Sequence, residues 1–338
     1  MVFVNGKFVR QRMTGVQRVA KELTSRMVDI CVVSPKKTYG KVGFLIWEQF
    51  FIPLKLLFSK GVLWSPCNTG PLLKKNQVVT VHDAAVFDCP EGFSFFFKHW
   101  YRWLLPKLIK RVRHVMTDSQ FSKNRLIEIT GVNSDHISVV SCGVDEKFFI
   151  EEFAVDFKKK YGINTPYLFV VGSLDPRKNL KRLVYEIWPS VSERYPDYNL
   201  VIAGASGGAF KIVFDKDLPQ DIHLLGYVDD EDLPSLYRGS EIFLFPSLYE
   251  GFGLPPLEAM ASGTVVISSN SASLPEVVGD AGVLVDPLDS DGWVTAVCNI
   301  LSSPEEKRVL EVRAVERARV FSWDNAALEV QKLLKVYS

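Results

Sequence analysis

The sequence is poor in cysteine, and its few cysteines are not arranged for a disulfide framework or a zinc site. There are five among 338 residues, an odd number, widely spaced and without a C-x-x-C pair: Cys31, Cys67, Cys89, Cys142 and Cys298. Because disulfide scaffolds need paired cysteines and structural zinc needs clustered ones, this usage indicates a reduced, cytoplasmic setting.

Long apolar runs are also lacking. A membrane-spanning helix needs about 20 apolar residues, whereas the best run, from Gly43 to Phe58, is broken by Glu48, Gln49, Pro53 and Lys55. The N-terminal MVFVNGKFVRQR has a short apolar part and no small-residue cleavage site after it. We therefore expect neither a membrane span nor a secretory leader.

Three common motifs are missing. The sequence has no G-x-x-x-x-G-K-[ST], no G-x-G-x-x-G and no H-E-x-x-H, which excludes the usual ATPase, dinucleotide-binding and zinc-protease classes. Its composition is that of a globular protein, with 47% hydrophobic and 23% charged residues, and this excludes a disordered chain.

The net charge of +1 hides two halves of opposite sign. Residues 1–150 carry 22 Lys and Arg against 11 Asp and Glu, whereas residues 151–338 carry 18 against 28. Two domains with different surfaces are indicated. The basic half could face nucleic acid, an anionic membrane or an anionic substrate.

Short apolar runs alternate with longer amphipathic segments, and the pattern restarts near residue 165. Six strands are predicted before that point and five after it, Tyr167–Val171 and Ile242–Phe245 among the latter, with helical segments between most of them. Continuous apolar strands between helices are typical of parallel sheets covered on both faces. We predict an α/β protein of two doubly wound domains, joined by a charged linker at residues 151–166, with ligand bound in a central cleft at the carboxyl ends of the strands.

The segment GSLDPRKNL, Gly172 to Leu180, lies between a predicted strand and a helix. Arg177 and Lys178 therefore stand at the carboxyl edge of a sheet, and a helix N-terminus adds to their positive charge. Such a cluster suits a phosphate or a diphosphate. The alternative is a solvated basic loop.

The segment YEGFGLPPLEAMASG, Tyr249 to Gly263, follows a second strand. Its glycines let backbone amides approach an anion, and its prolines suit a first helical turn. Glu250 and Glu258 are eight residues apart, so that one could reach a sugar and the other a nucleoside ribose. The alternative places both carboxylates on the protein surface, and leaves the glycines and prolines unexplained.

Two further candidates lie in the first half. His82, in TVHD, comes directly after a predicted strand, where an imidazole could donate or accept a proton. A structural histidine is the alternative. Gly15 opens a predicted helix whose amides could meet an anion, although Thr14 before it could be only a cap.

These motifs together resemble those of the retaining glycosyltransferases of family 4, which have the GT-B fold. EGFGLPPLE resembles the family's E-x7-E motif, and GSLDPRKN, LLGYVDDEDLPSLY and SLPEVVGDAGVLVDP follow the family's donor domain in order. TGVQR, TVHD, TDSQFSK and SCGVDEKFF stand where the family places them in the first half. Within the family, the sequence resembles the bacterial polysaccharide and O-antigen mannosyltransferases.

The resemblance implies a domain plan and roles for individual residues. An acceptor-binding domain at 1–153 and a nucleotide-sugar domain at 154–321 would be followed by a helix at 322–338 that crosses back to the first domain. Arg177 and Lys178 would hold the donor diphosphate in place of a metal, Glu250 would contact the sugar, and Glu258 the ribose. His82 would lie beside the donor sugar. The remaining donor-binding residues would be Gly15, Gly172, Tyr227, Val228, Phe252, Gly253 and Leu254.

The implied activity is retaining, metal-independent transfer of a hexose from a nucleotide sugar, with no cofactor. GDP-mannose or a related GDP-sugar is the expected donor, and a UDP-sugar is the alternative. Glu250 is the one candidate nucleophile for a double displacement. The implied acceptor is a lipid-linked glycan in surface polysaccharide or O-antigen synthesis, at the inner face of the cytoplasmic membrane.

The segment at residues 93–114 is aromatic and basic, and could rest on an anionic membrane surface. The alternative is an acceptor-domain helix with a buried aromatic face. The run from Phe44 to Phe58 is expected to be core.

Three other classes compete with a glycosyltransferase. A catalytically silent nucleotide- or carbohydrate-binding relative is disfavoured because all of the motif residues are present. A nucleic-acid-binding protein is disfavoured because the basic residues form no reader motif. A glycosidase would use paired carboxylates but would not need Arg177 and Lys178.

Overall fold

The computed structural model describes residues 1–150, 157–204 and 218–338, and places them in two compact units. Unit 1 comprises Met1–Gly143 and Phe321–Ser338, and unit 2 comprises Val144–Val320. Each unit is built on a six-stranded parallel sheet covered by helices. The α/β class, with two Rossmann-like domains, is therefore confirmed. The predicted domain boundary at residues 153 and 154 lies outside the described residues.

The sheet of unit 1 has the strand order β2-β1-β3-β4-β5-β6. Its strands are β1 (Val2–Asn5), β2 (Ile30–Val33), β3 (Val62–Ser65), β4 (Gln77–Thr80), β5 (His114–Thr117) and β6 (Ile137–Val139). Its helices are α1 (Gly15–Arg26), α2 (Lys41–Ile46), α3 (Ile52–Lys55), α4 (Ala85–Asp88), α5 (Phe95–Arg111) and α6 (Gln120–Thr130), with a π-helical turn at Trp47–Phe51 and 3-10 turns at Gly6–Arg10, Pro90–Gly92 and Ser134–His136.

The sheet of unit 2 has the order β12-β11-β10-β7-β8-β9. Its strands are β7 (Tyr167–Val171), β8 (Asn199–Ala203), β9 (Ile222–Gly226), β10 (Ile242–Phe245), β11 (Val266–Ser269) and β12 (Val283–Val285). Its helices are α7 (Phe157–Tyr161), α8 (Leu180–Arg182), α9 (Trp188–Arg194), α10 (Leu233–Arg238), α11 (Leu254–Ala261), α12 (Leu274–Val278), α13 (Ser290–Ser302) and α14 (Pro304–Ala318), with a π-helical turn at Leu183–Ile187 and 3-10 turns at Glu146–Phe149 and Pro176–Lys178. The last helix of the chain, α15 (Trp323–Tyr337), belongs to unit 1.

Both sheets reverse their strand order once, and the reversal determines where a ligand would bind. In unit 2, β8 and β9 lie on one side of β7, whereas β10, β11 and β12 lie on the other. The loops that follow β7 and β10 therefore leave the sheet in opposite directions and open a crevice at its carboxyl edge. These loops contain the two motifs that the sequence singled out.

Two sequence predictions need correction. The linker expected at 151–166 contains a helix, α7, whose Phe157 is buried because it packs inside unit 2. The run from Phe44 to Phe58, expected to be core, has two faces. Phe44, Trp47, Ile52 and Leu56 are buried and Leu45 is half-buried, but the remaining large apolar side chains are exposed: Ile46, Phe50, Phe51, Leu54, Leu57 and Phe58.

The last helix docks against the first helix and the sheet of unit 1. Its inner face is apolar and buried, through Trp323, Ala326, Ala327, Val330 and Leu334. A Cβ atom added to Gly143 would lie 2.2 Å from the backbone nitrogen of Trp323, so only glycine fits where the chain leaves unit 1. None of the described helices has the length and apolarity needed to cross a bilayer.

A histidine joins the far end of this helix to the sheet. His114 on β5 stacks on Tyr337, with 5.2 Å between ring centroids, and its Nδ1 lies 3.1 Å from the Tyr337 hydroxyl. Its Nε2 lies 2.8 Å from the Ser138 hydroxyl. Burial, with the nearby His136 and Lys123, lowers the pKa of His114 to about 4. A neutral imidazole, which accepts at Nδ1 and donates at Nε2, satisfies both contacts.

We expect acid to weaken this attachment. The ordinary histidine pKa is about 6.5, so between that pH and about 4 the unfolded chain binds more protons than the folded one. Stability therefore falls as the pH drops through this window, by roughly 1 kcal/mol at pH 5 after allowance for solvent screening. Thermal unfolding should show that His114→Gln loses less stability between pH 7 and pH 5 than the wild type does.

His99→Gln, at an exposed histidine of the same unit, is the matched control and should keep the wild-type pH dependence. An unchanged pH dependence in His114→Gln would show that the imidazole of His114 is not the group that titrates.

Candidate active site

The loops that follow β7 and β10 are joined by a backbone hydrogen bond at the reversal point of unit 2. The amide of Leu248 donates to the carbonyl oxygen of Arg177 at 2.7 Å. Arg177 and Lys178 occupy a 3-10 turn after β7, and Glu250 lies in the loop after β10. Residues 72 positions apart in the sequence are therefore neighbours at the carboxyl edge of the sheet.

The predicted cation and the predicted carboxylate form an ion pair. Lys178 Nζ lies 2.5 Å from Glu250 Oε1, and both side chains are largely buried, at 18% and 17% exposure. The ammonium also lies 4.9 Å from the ring centroid of Phe245, the last residue of β10. A cation held between a carboxylate and an aromatic face is fixed in position, which is what a binding site for an anion requires.

Arg177 is held by an acidic neighbour that the sequence analysis did not assign. Asp175 Oδ1 accepts from the backbone amide and from Nε of Arg177, each at 3.0 Å, and Oδ2 accepts from Nη2 at 2.6 Å. Burial raises the pKa of Asp175, but the hydrogen bonds and charge of Arg177 outweigh it and the pKa is lowered. Asp175 caps the 3-10 turn and orients the guanidinium. The Asp-Pro pair before the turn was the available signal.

The glycine-rich loop before α11 is fixed by a serine from a third loop. Ser273 Oγ donates to the carbonyl oxygens of Glu250 at 2.9 Å and Phe252 at 2.7 Å. Gly253 has a φ of 123° immediately before Leu254 opens α11, and a Cβ atom there would lie 2.9 Å from the Leu274 side chain. Only glycine suits this position. Gly253 was predicted from the sequence, but Ser273 was not.

Glu258 lies one turn into α11, and its side chain is buried. Only 6% of the residue is exposed, and its Oε2 accepts a hydrogen bond from the Tyr237 hydroxyl at 3.1 Å. Tyr237 is itself buried among aromatic rings, with Phe243 at 5.1 Å and Phe169 at 5.4 Å between centroids. The surface-charge alternative for Glu258 is therefore wrong.

Gly172 and Gly204 directly follow β7 and β8, and Gly226 ends β9, at one edge of the sheet. Gly172 donates its amide to Ala203, and Gly204 donates to Gly226, at 3.0 and 2.8 Å. Gly204 has a φ of 111°, and a Cβ atom there would lie 2.7 Å from the carbonyl oxygen of Gly172. Gly172 was predicted from the sequence, but Gly204 was not. Glycine at position 204 therefore lets the backbone segments that follow β7 and β8 pack closely at this edge.

The two residues predicted to contact a nucleotide base, Tyr227 and Val228, have opposite environments. Tyr227 is 69% exposed, directly after Gly226, whereas Val228 is buried. Only the tyrosine ring is accessible to a ligand in the structure described.

In unit 1, His82 is buried and both of its ring nitrogens contact acceptors. Nδ1 lies 2.7 Å from Asp118 Oδ2, and Nε2 lies 2.9 Å from the carbonyl oxygen of Pro66. Burial lowers the pKa of His82, but the Asp118 carboxylate and the Pro66 carbonyl outweigh it and the pKa is raised. A carbonyl and a carboxylate both require a donor, so the imidazolium form fits this site.

Asp118, which the sequence analysis missed, follows β5 as His82 follows β4, and these strands are neighbours. Two polar residues directly after buried strands were the available signal. Gly15 opens α1 as predicted, and Thr14 precedes it, but the Thr14 hydroxyl caps no amide. Within the described residues, no group of three histidine, cysteine or acidic side chains could hold a metal ion.

Solved structures share this architecture along the whole chain. Sucrose-phosphate synthase from Thermosynechococcus elongatus is 18% identical with a TM-score of 0.77, and the match covers 99% of this chain and 98% of that one. WaaG, a glycosyltransferase involved in lipopolysaccharide biosynthesis, is 15% identical with a TM-score of 0.74, and the match covers 98% of this chain and 99% of that one. These matches define the GT-B fold.

Sequence comparisons lead to the family. A model described as "Glycosyl transferases group 1" matches residues 154–317, and one described as "Glycosyltransferase Family 4" matches residues 59–148. The O-antigen chain mannosyltransferase B of Escherichia coli is 32% identical over 272 residues, 78% of this chain and 71% of that protein. The O-antigen chain mannosyltransferase RfbU of Salmonella typhimurium is 32% identical over 285 residues, 81% of this chain and 76% of that protein. The chain therefore belongs to the glycosyltransferases of family 4, as its motifs predicted.

Proposed function

We propose that this glycosyltransferase moves mannose from GDP-mannose, with retention of anomeric configuration, to a lipid-linked glycan acceptor in O-antigen synthesis. The observation that carries the proposal is the pair of Lys178 and Glu250 beside Arg177, at the reversal point of the unit 2 sheet. The names of the two relatives, both O-antigen chain mannosyltransferases, support the choice of donor and acceptor.

The diphosphate would be held by charge and by backbone. Arg177, oriented by Asp175, and Lys178 supply the cations, and the amides of Phe252, Gly253 and Leu254 supply donors at the start of α11. Lys178 already contacts Glu250. On donor binding, Lys178 would exchange this carboxylate for a phosphate oxygen, and Glu250 would accept hydrogen bonds from sugar hydroxyls instead.

The nucleoside would lie along the glycine edge. Glu258 would accept from ribose hydroxyls, and Tyr237 would hold its carboxylate in place. Gly172 leaves space for the phosphates, and the exposed Tyr227 would contact the base beside the buried Val228. No cofactor and no metal are required, because Arg177 and Lys178 neutralise the leaving group.

Retention would follow from attack on the same face as the leaving group. The bond from the anomeric carbon to the β-phosphate oxygen breaks as the bond from the acceptor oxygen forms. The acceptor proton passes to the departing phosphate oxygen. Glu250 is the one candidate for a covalent nucleophile, but here its carboxylate would accept hydrogen bonds from sugar hydroxyls, a role that competes with attack on the anomeric carbon. Direct same-face transfer is therefore preferred.

Unit 1 would contribute His82 and Gly15. Both ring nitrogens of His82 are occupied by Asp118 and Pro66, so the imidazolium would supply positive charge beside the donor sugar, without transferring a proton. The amide of Gly15, at the start of α1, would approach the phosphates. We place the protein at the inner face of the cytoplasmic membrane, where residues 93–114 would meet anionic lipid.

The test is a thermal-shift screen of GDP, UDP, ADP, TDP and CMP without added metal. A ligand that binds the folded state raises its melting temperature by mass action, by several degrees for ligand in roughly hundredfold excess over its Kd. We expect GDP to stabilise most. Selective stabilisation by UDP would favour the UDP-sugar alternative. Nucleotide binding without transfer to any acceptor would favour a catalytically silent relative.

A further inference from the structure

The exposed aromatic side chains of the described residues are concentrated in two segments of unit 1, residues 42–58 and residues 95–111. Every exposed phenylalanine or tryptophan in the part of the chain that the structure describes lies in one of them: Phe50, Phe51 and Phe58 in the first, and Phe95, Phe96, Phe97 and Trp103 in the second. Phe58 is 95% exposed and Phe96 is 84% exposed. Clusters of exposed large apolar side chains on a folded protein mark interaction surfaces.

The loop at residues 71–75 joins the two segments into one surface. On one side, Lys74 Nζ donates to the carbonyl oxygen of Leu56 at 3.1 Å, which attaches the loop to the end of the first segment. On the other side, the loop and the second half of α5 enclose an open groove of about 600 Å³. The groove is lined by Leu72, Leu73, Lys75, Lys107, Lys110 and Arg111. Leu73, which is 68% exposed, adds an apolar side chain to the loop.

This surface is basic and has no exposed acidic residue. Residues 93–114 contain six Lys and Arg and no Asp or Glu. Between residues 42 and 58 the one acidic residue is Glu48, which is buried and bonded to Lys7 Nζ at 2.7 Å. Lys107 Nζ lies 3.9 Å from the ring centroid of Trp103, so that a cation and an aromatic ring meet at the edge of the groove.

We propose that residues 42–58, 71–75 and 95–111 together form a docking surface for an anionic lipid bilayer. The phenylalanine and tryptophan side chains enter the interface between headgroups and acyl chains, and the groove of Lys75, Lys107, Lys110 and Arg111 binds lipid phosphate. The charge favours this occupant, because the cores of protein interfaces are depleted of lysine, whereas lysine beside aromatic side chains suits an anionic membrane. This proposal adds a membrane surface to the proposed function, and it rests on that function only for the idea that the acceptor is lipid-linked.

The test compares binding of the full chain to phosphatidylcholine vesicles with and without about 30 mol % phosphatidylglycerol, by co-sedimentation. We expect binding to the anionic vesicles only. Phe58→Ser and Phe96→Ser, one in each segment, should each weaken binding about tenfold, because each loses a large apolar contact. Val336→Ser, at an exposed valine of α15, is the matched control and should bind like the wild type.

The basic groove has its own variants. Lys107→Gln with Lys110→Gln should weaken binding roughly 20- to 30-fold, since each cation near an anionic surface is worth about fivefold. Lys21→Gln, at an exposed lysine of α1, should have a much smaller effect. GDP affinity, measured in the same variants, should stay unchanged, so a failure of vesicle binding is distinguished from a failure of the donor site.

Three outcomes would overturn the proposal. Equal binding to neutral and anionic vesicles would exclude a docking surface that selects anionic lipid. Weakened vesicle binding in Phe96→Ser, with wild-type binding in Phe58→Ser, would restrict the docking surface to α5. Absence of vesicle binding, together with self-association that Phe58→Ser abolishes in analytical ultracentrifugation, would assign the surface to a second copy of the chain.

Discussion

Lys178→Ala is expected to lower kcat at least a hundredfold while the protein stays folded. Loss of one preorganised group that stabilises developing charge costs about 2.7–4 kcal/mol in other enzymes. Lys178 is held for this role by Glu250 at 2.5 Å and by the ring of Phe245. Its removal also leaves Glu250 without this cation, so repulsion between the carboxylate and the donor phosphates adds to the loss.

The measurement is steady-state transfer from GDP-mannose, with thermal unfolding as the check on folding. Arg177→Ala should behave similarly, since Asp175 holds its guanidinium in the same turn that carries Lys178. Lys181→Ala, at an exposed lysine three positions further on, is the matched control and should keep most of its activity. EDTA should leave the wild-type rate unchanged. Full activity in Lys178→Ala would contradict the assignment of this side chain to the diphosphate.

Glu258→Gln is expected to weaken GDP binding about 10- to 150-fold, because the amide NH2 that replaces one carboxylate oxygen would remove one charged hydrogen bond to a ribose hydroxyl, worth about 1.5–3 kcal/mol. Glutamine has nearly the same shape, and its amide oxygen can still accept from Tyr237. The fold should therefore survive a substitution at this buried position. Isothermal calorimetry with GDP measures the change directly.

Two controls locate the effect. Glu276→Gln, at an exposed carboxylate on α12, should leave GDP affinity unchanged. Tyr237→Phe removes the hydroxyl that contacts Glu258 and should weaken GDP binding less than Glu258→Gln does. If Glu258→Gln bound GDP as tightly as the wild type, the buried carboxylate would have only a structural role.

The sequence predicted the strands well because a parallel sheet that is buried on both faces requires continuous apolar runs. Tyr167–Val171 and Ile242–Phe245 were predicted with the bounds that the structure has. Strand β12, Val283–Val285, was missed because it is short and its residues are only half-buried at the edge of the sheet. The exposed face of the run from Phe44 to Phe58 was missed because hydrophobicity alone does not distinguish a core from an interaction surface.

The sequence predicted which residues form the candidate site, but it did not predict which of them contact one another. The motifs placed Arg177, Lys178 and Glu250 at strand ends, but no local pattern pairs residues that are 72 positions apart. That pairing depends on β7 and β10 being neighbours, which is a property of the sheet order. The hydrogen bonds of Asp118 to His82 and of Ser273 to the Glu250 loop depend on the same kind of long-range neighbour.

The order in which this chain is synthesised has a consequence for its folding. Unit 1 is completed by Phe321–Ser338, whereas unit 2 is one continuous stretch of chain. During translation, α15 is made only after the whole of unit 2. Until then α15 cannot cover the side chains of α1 that are buried in the folded protein, Val19, Ala20 and Leu23. At ribosomal rates this delay is on the order of 10–40 s. Unit 2 can therefore fold first, and nascent unit 1 is the part of the molecule most exposed to chaperones and to misfolding.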